Sequence, residues 1–94
     1  MRVTWSDTDD ESVDEIERYL GRFSEDLARQ WVARICAAVA TAALDPRSRR
    51  KVPEVNDDRI RQALIGPYRA WCRIYDLEDR IDVLVVFHGA RNVR

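Results

Sequence analysis

Hydrophobic and polar positions along this chain follow two different periods. From Arg59 to Arg91 the apolar, aromatic and β-branched residues fall into three runs, at about 59–65, 68–76 and 81–88. Gly66-Pro67 and Glu78-Asp79 separate them. Runs of this length between turn residues predict a meander of three antiparallel strands. A shorter alternation, Arg2 to Trp5, predicts a first strand. Between these regions the period changes to that of a helix. Val13, Ile16, Leu20 and Phe23 make one apolar stripe, with Asp14, Glu15, Glu17 and Arg18 outside it. Ser6 or Asp7 supplies a side-chain oxygen for the orphan amides of its first turn, where Asp9, Asp10 and Glu11 also suit the helix dipole. Gly21 weakens the end of this helix, and Ser24 caps a second, from about Glu25 to Leu44. Its stripe is Leu27, Trp31, Ile35, Ala38 and Ala42, widened by Val32, Val39 and Ala43, and its alanines let another layer approach closely. Asp45-Pro46 ends it, because a residue before proline is pushed out of the α region.

The order β-α-α-β-β-β predicts one α+β domain over residues 1–94. A helical hairpin covers one face of a small, mainly antiparallel sheet and leaves the other face open. Alternation on the middle strand says which residues occupy that open face. Arg69, Trp71, Arg73 and Tyr75 point one way, and Tyr68, Ala70, Cys72 and Ile74 the other. A strip that alternates cation and aromatic does not suit a core, so it is the candidate interaction surface. Trp5 and Trp31 are expected in the core. By the same period, His88 lines up with Asp82, Leu84 and Val86.

Net charge changes this picture only when it is divided. The chain totals −1, which excludes a simple polycation and gives no reason to expect direct DNA binding. Residues 1–45 carry five arginines against ten acidic residues, and residues 46–94 carry ten arginines and Lys51 against seven, so the halves are −5 and +4. A basic cluster, Arg47, Arg49, Arg50 and Lys51, sits in the polar connection between the second helix and the meander. The split suggests that the second half faces something anionic or is covered by an acidic partner, or else that it is a mixed solvated surface.

Two cysteines make no disulfide framework, and Cys36 and Cys72 are expected as buried free thiols in a reducing cytosol. His88 is the only histidine, so no Cys-His spacing suggests zinc, and neither metal nor cofactor is expected. The start, Met1-Arg2-Val3-Thr4-Trp5, leads to acidic residues and not to an apolar stretch, and nothing approaches a membrane span. Cytoplasmic location is the expectation.

An ordered set of short pieces resembles the RelE/ParE superfamily of small bacterial toxins from type II toxin–antitoxin pairs. The pieces are Val3-Thr4-Trp5-Ser6, the pattern Ile16, Tyr19, Leu20, then Leu44-Asp45-Pro46-Arg47, Val52-Pro53-Glu54, Gly66-Pro67-Tyr68-Arg69, Arg73-Ile74-Tyr75 and the ending Val83 to Arg91. They span nearly the whole chain. The resemblance implies a cognate antitoxin, with a ribbon-helix-helix DNA-binding domain as the expected form. Two chemistries follow from its two branches. ParE-like members poison DNA gyrase by protein–protein contact, with no hydrolytic site. RelE-like members cleave messenger RNA on the ribosome, which needs a base, an acid and arginines to stabilise the phosphorane. The RelE reading places Glu54, Arg73 and His88 in catalysis. The Gly-Pro-Tyr-Arg turn and the ending His88-Gly89-Ala90-Arg91, with no aromatic after the histidine, look ParE-like. The ParE reading has no catalytic residue. It makes Arg69, Trp71, Arg73, Tyr75, His88 and Arg91 partner contacts. A non-toxic binding module of the same fold is a third possibility.

Overall fold

The computed structural model describes residues 1–89, the side chains of 7–11 apart. Its elements are β1 (Arg2–Trp5), α1 (Asp7–Gly21), α2 (Glu25–Leu44), a 3-10 turn (Pro46–Ser48), β2 (Arg50–Lys51), β3 (Ile60–Ile65), β4 (Tyr68–Tyr75) and β5 (Arg80–His88). The strands form one sheet in the order β1-β5-β4-β3-β2. β1 runs parallel to β5, and every other pair is antiparallel. The fold is α+β with the anticipated helical hairpin on one face. Two features are additions to the sequence reading. β1 closes one edge in parallel with the last strand, and the two-residue β2 guards the other edge with charged side chains, which suits an edge strand.

Ser24 caps α2 with its side-chain oxygen, 3.2 Å from the amide nitrogen of Leu27. The buried residues of α2 are Ala28, Ile35, Val39, Ala42 and Ala43, so the stripe is rotated slightly from the one read off the sequence. Leu27 is exposed instead. Phe23 falls beyond the end of α1 and is 69% exposed, its ring set edge-on against Tyr19 at 5.6 Å, so it does not extend the core stripe. Cys36 is exposed and Cys72 buried, which corrects the expectation of two buried thiols. One residue of helix turns a side chain through 100°, and Cys36 follows Ile35, which points straight into the sheet.

Ile35 and Val39 meet Ala70, Cys72, Ile74, Ile81 and Val83 in the core. Ala63 and Ala70 keep the sheet surface low beneath the helix, and the alanines of α2 do the same from above. Trp5 and Trp31 pack against this core while staying partly buried. Burying each aliphatic side chain contributes about 1.5–3 kcal/mol. The N-terminal ammonium donates to the carbonyl of Ala43 at 3.0 Å, tying the start of the chain to the end of α2.

Candidate functional site

Strand register defines the face that the helices leave uncovered. On β4, Tyr68, Ala70, Cys72 and Ile74 are buried toward the helices, and Arg69, Trp71, Arg73 and Tyr75 are half-buried on the opposite side. Paired residues share a face, so the open side also carries Phe87, Val85, Asp82 and Arg80 from β5 and Leu64, Gln62 and Ile60 from β3. Parallel pairing of β1 adds Arg2 beside Arg80 and Thr4 beside Asp82.

Arg69 is held from three directions. Its Nε donates to Gln62 Oε1 at 2.8 Å. Its Nη1 and Nη2 donate to Glu54 Oε2 and Oε1 at 2.9 and 3.1 Å, a bidentate pair. Its guanidinium lies 5.6 Å from the Trp71 ring and 5.2 Å from that of Phe87, and those two rings meet edge to face at 5.4 Å. The hydrogen bond from Arg69 holds the Glu54 carboxyl below the usual carboxylate range, with a smaller contribution from a backbone amide. Arg69 and Glu54 therefore pin the 53–55 turn onto the sheet. A shallow cleft of about 470 Å³ lies beside them, lined by Arg50, Pro53 and Leu64 among others.

The far end of β4 is built differently. Arg73 and Arg80 both lie against the Tyr75 ring, at 5.0 and 3.9 Å from its centre. Arg80 Nη1 donates to Thr4 Oγ1 at 3.4 Å, and Thr4 Oγ1 donates to Asp82 Oδ1 at 3.0 Å. The buried Nε of Arg73 and Nε1 of Trp71 find no hydrogen-bond partner among the described residues. Nearby, Asp57 accepts from the backbone nitrogen of Arg59 at 2.9 Å and from its guanidinium at 3.1 and 3.0 Å. The Arg59 side chain, then its amide, lower the Asp57 pKa to about 2, with the charge of Arg73 adding to the effect.

His88 stands on the other side of the sheet. β4 and β5 pair Trp71 with Val85 but Cys72 with Val83, so Leu84 is an extra residue in β5. This β-bulge reverses the alternation beyond it. His88 and Val86 consequently share the helix-side face with Ile81 and Val83, and period two does not align His88 with Asp82. The His88 ring meets Tyr68 edge-on at 5.7 Å and helps line a groove of about 380 Å³ between β5 and α1, with Ser12, Glu15, Ile16 and Tyr19 on the helix side. Of the residues that the RelE reading requires, Glu54 is clamped by Arg69, Arg73 sits by Tyr75, and the sheet separates His88 from both. Arg91 lies outside the described residues.

Sequence reasoning did not single out Arg2 and Arg80. Both begin strands, but only the parallel pairing of β1 with β5 makes them neighbours. Nor did it find the Arg69–Glu54 clamp, since fifteen residues separate the partners. Among the described residues, no three His, Cys, Asp or Glu side chains gather to hold a metal ion, and no helix is long and apolar enough to cross a membrane.

The fold has a solved counterpart. A chain of the chromosomal ParDE TA system from P. aeruginosa superposes with a TM-score of 0.74 at 18% identity, covering 94% of this chain and 95% of that one. At that identity the likeness concerns the fold alone. No curated protein matches the chain by sequence. The family model described as the ParE toxin of the type II toxin–antitoxin system, parDE, matches residues 3–93, that is, almost every residue from β1 onward. The chain belongs to this ParE toxin family.

Proposed function

We propose that the chain is a toxin that inhibits DNA gyrase by protein–protein contact, acts in the cytoplasm, and is neutralised by a cognate antitoxin carrying a ribbon-helix-helix DNA-binding domain. The observation that carries this reading is the open sheet face, where Trp71, Arg73 and Tyr75 present rings and positive charge, half-buried, with no helix over them among the described residues. Arg69 contributes by fixing the ring of Trp71 and the 53–55 turn. His88 serves partner contact from the groove beside α1.

Ribosome-dependent RNA cleavage fits the geometry less well. A carboxylate held ionised by Arg69 is a weaker base than a free one, and His88 is across the sheet from Glu54. Purified protein is expected to block gyrase supercoiling and to trap cleaved DNA at near-stoichiometric ratios, with Arg73→Gln weakening both effects. Absence of any effect on gyrase at large excess refutes the proposal. Cleavage of ribosome-bound messenger that His88→Ala abolishes would establish the nuclease instead. Overexpression without growth arrest would favour a non-toxic binding module.

A further inference from the structure

The arginines of the open face are not equivalent. Glu54 answers the charge of Arg69. Among the described residues no ion pair involves Arg2, Arg73 or Arg80. These three lie close together, because β1–β5 pairing sets Arg2 beside Arg80 and β4–β5 pairing sets Arg80 beside Tyr75. The Tyr75 ring carries the guanidiniums of Arg73 and Arg80. Two acidic groups close to Arg73 are already engaged: Asp82 accepts from Thr4, and Asp57 is paired with Arg59. Among the described residues the charges of Arg2, Arg73 and Arg80 on this face are therefore left without an ion-pair partner. Two donors within the same face, Arg73 Nε and Trp71 Nε1, are withdrawn from solvent and have no acceptor among the described residues.

We infer that this corner is a carboxylate receptor: Arg2, Arg73 and Arg80 dock an acidic segment of the antitoxin. The inference rests on the reading that an antitoxin covers the open face. Guanidiniums laid on a ring keep a fixed fork that matches a planar carboxylate. The patch is also short, bounded by Asp82 and by the apolar Ile60 and Val85. A nucleic acid asks for a longer basic stripe along its backbone, whereas a few acidic residues interleaved with apolar ones fill this corner.

Fluorescence anisotropy on the whole chain tests it. The probes are a labelled dodecapeptide of alternating glutamate and leucine, its glutamine counterpart, and a single-stranded oligothymidylate of equal length. The glutamate peptide is expected to bind about tenfold more tightly than the glutamine one, and Arg73→Gln and Arg2→Gln are each expected to weaken it about tenfold, the worth of one charge-assisted hydrogen bond. Arg18→Gln on α1 leaves binding unchanged. Arg2 is exposed at the start of an edge strand, so its variant keeps the test open should Arg73→Gln fail to fold. Equal binding of the two peptides overturns the inference. So does wild-type affinity in both folded arginine variants, and so does tighter binding of the oligothymidylate. Gyrase supercoiling measured on the same preparations separates the two proposals. Inhibition without peptide binding removes the receptor alone, and peptide binding without inhibition removes the gyrase target alone.

Discussion

Gly66→Ala is the substitution whose cost the structure specifies most closely. Gly66 opens the two-residue turn between β3 and β4 with φ of +54°, a left-handed conformation that costs a residue with a Cβ about 1 kcal/mol. The added methyl would also stand 2.6 Å from Cη2 and 2.9 Å from Cζ3 of Trp31. The indole cannot simply move aside. Tyr68 meets it edge-on at 5.4 Å and Arg34 lies over it at 4.1 Å. Forcing a methyl into a filled site costs about 1–3 kcal/mol, so the total is about 2–4 kcal/mol. In a domain of this size each kcal/mol moves the melting temperature by about 4–8 °C. A fall of roughly 10–25 °C is expected by circular dichroism, with the urea m-value unchanged. Trp31→Leu removes the rings, so Gly66→Ala in that background should cost only the conformational part, about 1 kcal/mol. Melting within a few degrees of wild type refutes the clash. An equal cost in both backgrounds refutes the role of Trp31. The turn matters for function because it fixes the pairing of Ile65 with Tyr68 and so sends Arg69 to the open face. A one-residue slip would turn the whole arginine–aromatic strip toward the helices.

Ile81→Ala empties a site with no solvent exposure between β1 and β4, and is expected to lower unfolding stability by about 2–5 kcal/mol in urea titration. A retained midpoint would show that the helix layer settles into the gap. In the native protein, a thiol reagent should modify Cys36 within minutes and Cys72 only on unfolding, as exposed and buried thiols require, and mapping the labelled peptide checks it. Acid should loosen the 57–59 turn. Asp57 has its pKa lowered to about 2 from 3.8, so its stabilisation is complete above about pH 4 and is lost as pH falls toward 2. Asp57→Asn should flatten that part of the profile of melting temperature against pH, and an unchanged slope would place the acid sensitivity elsewhere.

Much of the fold was legible because local rules and tertiary packing agree in this chain. Ser24 caps α2, Asp45-Pro46 ends it, and Gly66-Pro67 turns the chain where β-branched runs stop on either side. What stayed hidden depends on pairings distant in sequence. Arg2 meets Arg80 across the length of the chain, and nothing in either strand announces a parallel neighbour. β2 reads as loop because two charged residues form a strand only when an existing edge accepts them. Phe23 has the right spacing to continue the α1 stripe, but the helix stops short of it, and helical periodicity has no meaning past the last turn.

The sharpest divergence is at Leu84, and it bears directly on chemistry. Period two would make His88 a neighbour of Asp82, near enough to Arg73 to suggest an active site. One inserted residue cancels that. It occurs where β1 ends, at Trp5 opposite Val83, and Ser6 holds it there, its amide donating to the Val83 carbonyl at 3.2 Å and its hydroxyl to that of Leu84 at 3.3 Å. Beyond that point β5 no longer has β1 on its outer side and borders α1 across the groove instead. The bulge lets β5 keep Ile81 and Val83 in the core, then reverse, so that Phe87 joins Arg69 and Trp71 while His88 turns to Tyr68. Alternation along β4 correctly assigns the strip to the open face, yet it cannot say which charges are already satisfied there. Arg69 and Arg73 look alike in sequence, two residues apart on one strand. Only the fold shows Arg69 committed to Glu54 and Gln62, whereas among the described residues Arg73 Nε has no acceptor and neither Arg73, Arg80 nor Arg2 has an ion-pair partner. The proposed partner surface is therefore centred on Tyr75, at the end of the strip where β1 brings in Arg2.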